Sequence, residues 1–417
     1  MLVTIRQRFL LSLQYRDYRT LWAATVCSGA AAWALIVARG WLAFSITDSS
    51  LWAGLVTFVA MAPRFFATPV IGFLADRFNR PTLLSWAYAL NLSHNVVLAV
   101  LVMLGLASPW VLVLLSLVNG TLRATEQNAT QSLVPNLIPK DHLLNAVALN
   151  EATQQGSRLV GPLAIAPLLA FFDVEAAFWL CSAFYAVGLV QVLRVKTRSR
   201  GSIDRQRSFS RNLVAGFEYV YHQPILLAMV LLAVAHCSLT MSFESMLPAL
   251  SEEKLAGGSA GVSYLMSAVG AGALTSAVLL AGVRDRAARG RLFFILGVAS
   301  GLTPIIVGLS SQTGVSLAAA AAMGASEAGF MTITHAIIQS IVPDEIRGRV
   351  SAVYSMHVGG TMAFANLTNG TVSDVFNAPM VIIVSGVVFT VVMFLSLAHS
   401  FLRSIYFPRV AGPAPAA

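Results

Sequence analysis

The chain has 417 residues, 57% hydrophobic and 11% charged, with a mean hydropathy of +0.75. Soluble domains carry about 25% charged residues, so this composition excludes an ordinary soluble enzyme or binding module and points to a polytopic membrane protein. The formal net charge of +9 is then a matter of membrane orientation before it is one of nucleic acid.

A helix needs about 20 mostly apolar residues to cross a bilayer, and lipid cannot satisfy a free backbone, so helices are the expected form. In chain order the apolar runs predict twelve spans, at 20–43, 51–74, 82–106, 109–134, 145–171, 175–195, 224–249, 261–283, 291–310, 314–340, 347–371 and 378–403. The first follows Arg6, Arg8, Arg16 and Arg19. It is too long for a signal-peptide core and reads as a retained span.

Basic residues alternate from loop to loop. Arg77 and Arg80 follow the second span and Lys140 the fourth. Arg194, Lys196, Arg198, Arg200, Arg205, Arg207 and Arg211 follow the sixth. Arg284, Arg286, Arg289 and Arg291 follow the eighth, Arg347 and Arg349 the tenth, and Arg403 and Arg409 lie in the tail. The intervening loops hold Lys254 beside Asp48, Asp173, Glu175, Glu252, Glu253 and Asp374. The positive-inside rule places both termini in the cytoplasm. The basic charge is a topology signal, and no nucleic-acid partner is expected. The predicted location is the cell membrane, a bacterial inner membrane.

The polar stretch 195–210 divides the spans six and six, and 212–222 reads as an amphipathic segment at the membrane surface. The expected organisation is a six-helix bundle over 1–194, a linker with amphipathic segment over 195–222, a second six-helix bundle over 223–404, and a tail over 405–417.

The chain repeats itself. Asp76-Arg77-Phe78-Asn79-Arg80 returns as Asp285-Arg286-Ala287-Ala288-Arg289, 209 positions on. Gln131-Ser132-Leu133-Val134-Pro135 returns as Gln339-Ser340-Ile341-Val342-Pro343, 208 positions on. Two matches at nearly one shift, in equivalent places, predict a duplicated half. Parallel repeats of this kind build transporters with a central site near the membrane midplane.

With these motifs the whole chain resembles a major facilitator superfamily transporter. Gly72-x-x-x-Asp76-Arg77-x-x-Arg80 is similar to the superfamily's loop motif between spans two and three, with Pro81 where a further basic residue is usual. In the second copy Gly282 stands one position closer to Asp285. The stretches SLVPNLIPKDHLLNAVALN, GPLAIAP and IVPDEIRGRVSAVYS resemble the branch of enterobactin exporters and macrolide efflux proteins. The resemblance implies an all-α membrane fold of two pseudo-symmetric six-helix bundles, a monomer without cofactor, and a gating motif of Gly72, Asp76, Arg77, Arg80, Asp285, Arg286 and Arg289. GSRLVGP, 156–162, resembles the span-five motif of antiporters, with Gly161 and Pro162 at a helix bend and Ile165 and Ala166 where further glycines are usual. It favours export.

Ionisable residues inside lipid are costly and are functional candidates. Here they are Arg39, Arg64, Arg123, Glu126, Arg158, Glu244 and Glu327, in spans one, two, four, four, five, seven and ten. The resemblance puts spans one, four, seven and ten around the central cavity, which assigns Arg39, Arg123, Glu126, Glu244 and Glu327 to the proton and substrate pathway. Arg123 and Glu126 are three residues apart and share a helix face. They form either a proton site tuned by the arginine or a neutral pair that fixes packing. Glu327 lies in GASEAGF, whose small residues allow close helix approach. It is either a proton site or an interhelical hydrogen-bonding group. Arg39 and Arg64 are candidates to bind an anionic substrate or a carboxylate on a facing helix. His94, His236 and His335 read better as hydrogen-bonded structural residues than as proton carriers. Cys27, Cys181 and Cys237 lack metal-ligand spacing and read as packing residues.

GGSAG at 257–261 matches the serine-hydrolase pattern, but that motif needs a strand-turn-helix context and here it falls in a loop. No metal motif or nucleotide loop is present in the sequence. The expectation is therefore not an enzyme but an ion-gradient-driven transporter working by alternating access. Its expected partners are a small-molecule substrate, protons and membrane lipids. Proton-coupled export of a small amphipathic compound, a drug or siderophore-like metabolite, is the favoured reading. Uptake of a nutrient or lipid, and a non-transporting receptor or scaffold, are the alternatives.

Overall fold

A computed structural model describes residues 11–63, 79–197, 199, 209–255, 257–280, 283 and 285–407. Its described elements are helical throughout. In chain order they are α1 (Arg16–Thr47), α2 (Ser50–Met61), α3 (Arg80–Met103), α4 (Pro109–Leu137), α5 (Leu143–Phe171), α6 (Val174–Leu193), α7 (Phe209–His222), α8 (Pro224–His236), α9 (Leu247–Leu255), α10 (Gly258–Leu280), α11 (Arg286–Leu309), α12 (Thr313–Ile341), α13 (Asp344–Phe376), α14 (Ala378–Leu395) and α15 (Ser400–Tyr406).

Local chemistry sets the turns between them. Asp48 takes a left-handed conformation, φ 53°, so that α1 reverses at once into α2. Short polar side chains adopt that region more readily than others. Ser108 begins α4 by accepting from the Val111 N–H at 3.3 Å, and Pro109 follows at the first helical position, where a missing N–H costs nothing. Asn377 caps α14 in the same way, accepting from Met380 at 2.9 Å.

By length and composition, seven described helices can cross a membrane: α1, α3, α6, α8 with its following turn, α10, α11 and α14. The helices matching expected spans four, five, ten and eleven are of 29, 29, 29 and 33 residues. With α2, described over 12 residues at the start of expected span two, each of the twelve expected crossings overlaps a described helix; residues 64–74 of span two lie outside the described residues.

Among α1–α6, α1 lies on α5 and α6, and α3 packs on α6. Among α8–α14, α10 packs on α12, and α11 on α14. The two sets meet through α2 against α13 and α5 against α10. The starts of α1 and α11 and the helix α15 mark the terminal end of the molecule; the α1–α2 turn marks the far end. One apolar core runs through α1–α6 and continues into the far end of the second set at Phe243, Met246, Leu250 and Val269. A separate core of Phe293, Phe330, Phe389, Met393 and Tyr406 fills the second set toward the terminal end. The halves are thus welded where the α1–α2 turn lies.

Glycine makes these contacts close. A side chain at Gly54 or Gly370 would collide with backbone across the α2–α13 interface, and one at Gly270 with the backbone of Arg158 and Leu159 across α5–α10.

Span seven differs from the expectation of one helix over 224–249. α8 ends at His236, a π-helical turn covers Cys237–Met241, and α9 begins only at Leu247. Such a break survives in lipid only if other groups take up the freed backbone. Here α13 supplies them. Asn369 donates its amide to the Ser242 carbonyl at 2.7 Å, and Asn366 Oδ1 accepts from the Ser245 N–H at 3.2 Å. Span twelve is also shorter than expected, since α14 stops at Leu395 and a separate helix, α15, follows.

Candidate functional site

Among the described residues, six side chains that ordinarily carry charge are buried: Arg39, Arg123, Glu126, Arg158, Glu244 and Glu327. Each is one of the residues singled out from the sequence. Their distribution is uneven. α1–α6 bury three arginines and one glutamate, whereas α8–α14 bury two glutamates and no arginine.

Arg123 and Glu126 form an ion pair at 2.7 Å on one face of α4. The Tyr185 hydroxyl donates to the second oxygen of Glu126 at 3.4 Å. This pair is self-contained within the first set of helices.

Arg158 and Glu327 meet across the two sets, Nη2 to Oε2 at 3.8 Å. That separation is an ion pair but is too long for a hydrogen bond, and neither oxygen of Glu327 has a hydrogen-bond partner among the described residues. At an effective dielectric of about 20 such a pair attracts by roughly 4 kcal/mol, against which the desolvation of both charges is set. Trp33 and Phe243 flank the guanidinium, their ring centroids 5.1 and 5.8 Å from it.

Glu244 lies in the irregular stretch between the π turn and α9. Its Oε2 accepts from Asn366 at 3.0 Å, while Oε1 is unpartnered. It interacts electrostatically with both Arg158 and Glu327. The break in span seven therefore sets one carboxylate beside an inter-half arginine that already faces another. One cation faces two acids, so the cluster can hold a proton or a cationic group without burying a net charge.

Arg39 stands apart. Its Nε donates to the Leu35 carbonyl at 3.3 Å and its Nη1 to Ser116 at 3.4 Å. With Asn119 and Arg123 it lines a cavity of about 40 Å³ between α1, α2 and α4.

Far from these charges, Asp374 near the end of α13 joins the halves. It accepts from the Ser50 N–H at 2.6 Å and the Leu51 N–H at 3.3 Å, and from the Ser49 hydroxyl. A carboxylate at a helix N-terminus satisfies orphan donors and meets the positive end of the dipole. Nearby, the Ser259 hydroxyl of GGSAG donates to the Leu169 carbonyl at 3.0 Å and ties α10 to α5.

Of the gating motif, Gly72, Asp76 and Arg77 lie outside the described residues, as does Arg64. Arg80 opens α3 and donates to the Ser132 carbonyl at 2.8 Å and to Ser199 at 3.3 Å, binding α4 and the linker. Asp285 caps its own helix, accepting from Ala288 at 2.7 Å. Arg286 is the first residue of α11, and Arg289 donates to the Val283 carbonyl at 3.1 Å. Gly161 lets α5 approach the Ala30 backbone of α1, and Pro162 sits inside α5. His236 stacks on Phe330 at 4.4 Å and hydrogen-bonds Ser300 at 2.8 Å, as a structural histidine does. Cys181 and Cys237 are buried, and the three cysteines are free. Asn366, Asn369 and Asp374, which hold the broken span seven and the start of α2, are not singled out by the sequence; three such polar residues within nine positions of one long helix are the available signal.

A family model described as "Transmembrane secretion effector" matches residues 10–404. Macrolide efflux protein A of Streptococcus pyogenes is 21% identical over 337 residues, covering 80% of this chain and 83% of the relative. The enterobactin exporter EntS of Escherichia coli O1:K1 is 23% identical over 329 residues, 78% of each chain. A POT-family transporter structure superposes with a TM-score of 0.74 at 13% identity, over 94% of this chain and 96% of that one. The duplicated loop motif, the buried inter-half charges and these matches agree: the chain is a multi-pass membrane protein of the transmembrane secretion effector family, within the major facilitator superfamily of transporters.

Proposed function

We propose that the protein is a proton-coupled exporter of small amphipathic compounds, and that Arg158, Glu244 and Glu327 couple proton binding to the movement of its two halves. The 3.8 Å Arg158–Glu327 pair carries this reading. It is the described ion pair that spans the two sets of helices, so a change in its charge acts directly on their association. Protonating Glu327 removes the attraction to Arg158 and leaves Glu244 to take the arginine. Export is favoured by the similarity to a macrolide efflux protein and an enterobactin exporter, and by the Gly161–Pro162 motif.

In this reading both termini face the cytoplasm, as the basic loops suggest. Asp374 and the α2 N-terminus hold the outer gate. Asp76, Arg77 and Arg80, with the second copy at Asp285, Arg286 and Arg289, serve the cytoplasmic gate. Residues 1–194 and 223–404 are the two rocking units. The self-contained Arg123–Glu126 pair sets the packing of α4 and is a secondary candidate for the proton.

The test is reconstitution of the purified chain in liposomes with an imposed pH gradient and no nucleotide. Flux of a macrolide or a catecholate siderophore that collapses with a protonophore supports the reading. Equal flux with and without the gradient, or equal retention of the same compounds by cells with and without the gene, contradicts it.

A further inference from the structure

Arg39 is 3% exposed and has no carboxylate partner among the described residues. Its contacts are two neutral oxygens at 3.3 and 3.4 Å, both at the long limit of a hydrogen bond. A guanidinium stays charged in proteins, and burying an uncompensated charge in low dielectric is among the most costly arrangements a protein can hold. The second arginine lining the same cavity, Arg123, is already neutralised by Glu126 at 2.7 Å. Among the described residues, the cavity therefore faces one positive charge in excess.

Its size limits what can answer that charge. A buried water needs about 10–15 Å³, so about 40 Å³ admits about three water-sized atoms. That is the bulk of a carboxylate group and not of a whole organic molecule. Asn119 and Thr57 add polar lining, whereas Ile36 and Met61 are apolar and only half-buried. The pocket pairs a cationic floor with an apolar, partly open wall.

We infer that the Arg39 cavity between α1, α2 and α4 is the binding site for the ionised acid group of the transported compound, and that the substrates are amphipathic organic anions. This rests on the transport reading above and narrows its substrate class. The acid group takes the Arg39 charge, and the apolar body runs past Ile36 and Met61. Arg39 then also rejects permanent cations, because they would add a like charge to an already unbalanced cavity.

The probes are salicylate and its neutral analogue salicylamide, titrated calorimetrically into the purified full chain in a low-salt zwitterionic buffer without carboxylate or chloride. Saturable salicylate binding is expected, with salicylamide weaker by about tenfold or more. Arg39→Gln should abolish the difference, and Arg39→Lys should retain part of it. Met61→Trp fills the mouth without touching the charge and should also abolish salicylate binding, which keeps the test sound if Arg39→Gln does not fold. Chloride added at fixed salicylate should compete weakly. Equal affinity for both probes, or full salicylate affinity in Arg39→Gln, overturns the proposal. Chloride binding that salicylate does not displace also overturns it, by making the site one for an inorganic counter-ion. Because the readout is binding, it is independent of the flux experiment. Binding without gradient-driven flux removes only the transport reading, and flux without acid-selective binding removes only this one.

Discussion

Arg158 on α5 and Glu327 on α12 face each other at 3.8 Å across the two halves, held in a setting that satisfies neither Glu327 oxygen by hydrogen bonding. A pair so placed is stable as a pair and unstable as a single charge. Removing one partner of a buried pair typically costs about 3–5 kcal/mol, while replacing both by neutral groups costs far less. Arg158→Gln should therefore lower the unfolding temperature of the purified protein by several degrees, and the double variant Arg158→Gln, Glu327→Gln should recover most of the loss. Thermal unfolding followed by intrinsic tryptophan fluorescence checks this. Additive losses in the double variant would show that the two side chains do not interact.

Asp374 accepts from Ser50 and Leu51 backbone across the α2–α13 interface. Asp374→Leu removes the cap and leaves the α2 donors without it. The cost expected for losing a charged cap is about 1–2 kcal/mol, felt as a looser far end. Spin labels at Ser108 and Gln312, on opposite halves at that end, should show a longer and broader distance distribution in this variant by electron–electron resonance.

Gly270 packs against the Arg158–Leu159 backbone. Gly270→Leu should wedge α10 from α5 and displace Arg158 from Glu327. The protein should insert at normal levels yet lose nearly all gradient-dependent flux in the liposome assay.

Asn369 supports the broken span seven through its 2.7 Å bond to the Ser242 carbonyl. Asn369→Leu leaves a buried carbonyl unsatisfied, at about 1–3 kcal/mol. Amide exchange in 237–246 should rise in this variant while exchange in α1–α6 stays unchanged.

The buried charges were legible in the sequence because lipid makes charge rare. In apolar runs an Arg158 or a Glu327 stands out without any knowledge of its partner. The Arg123–Glu126 pair was legible too, since a spacing of three places both on one helix face. The helices themselves were legible from hydropathy: each apolar run overlaps a described helix, seven of them long and apolar enough to cross a membrane. Three features were hidden for a shared reason, that their partners lie far along the chain. The break in span seven sits in a continuous apolar run and is sustained by Asn366 and Asn369, more than a hundred positions away. The cap of α2 by Asp374 joins residues 324 positions apart. The pairing of Arg158 with Glu327 depends on which helices of the two halves meet. Sequence periodicity reports what a helix buries, not what it buries against.

In the proposed mechanism the charge on Glu327 controls how the halves associate. Distances between spin labels at Ser108 and Gln312, measured from neutral to acidic pH in lipid nanodiscs, test it most directly. Wild-type protein should shift toward a longer distance as acid neutralises the carboxylate. Glu327→Gln should show the longer distance at neutral pH and no further change on acidification. A pH response in Glu327→Gln equal to that of the wild type would contradict the account.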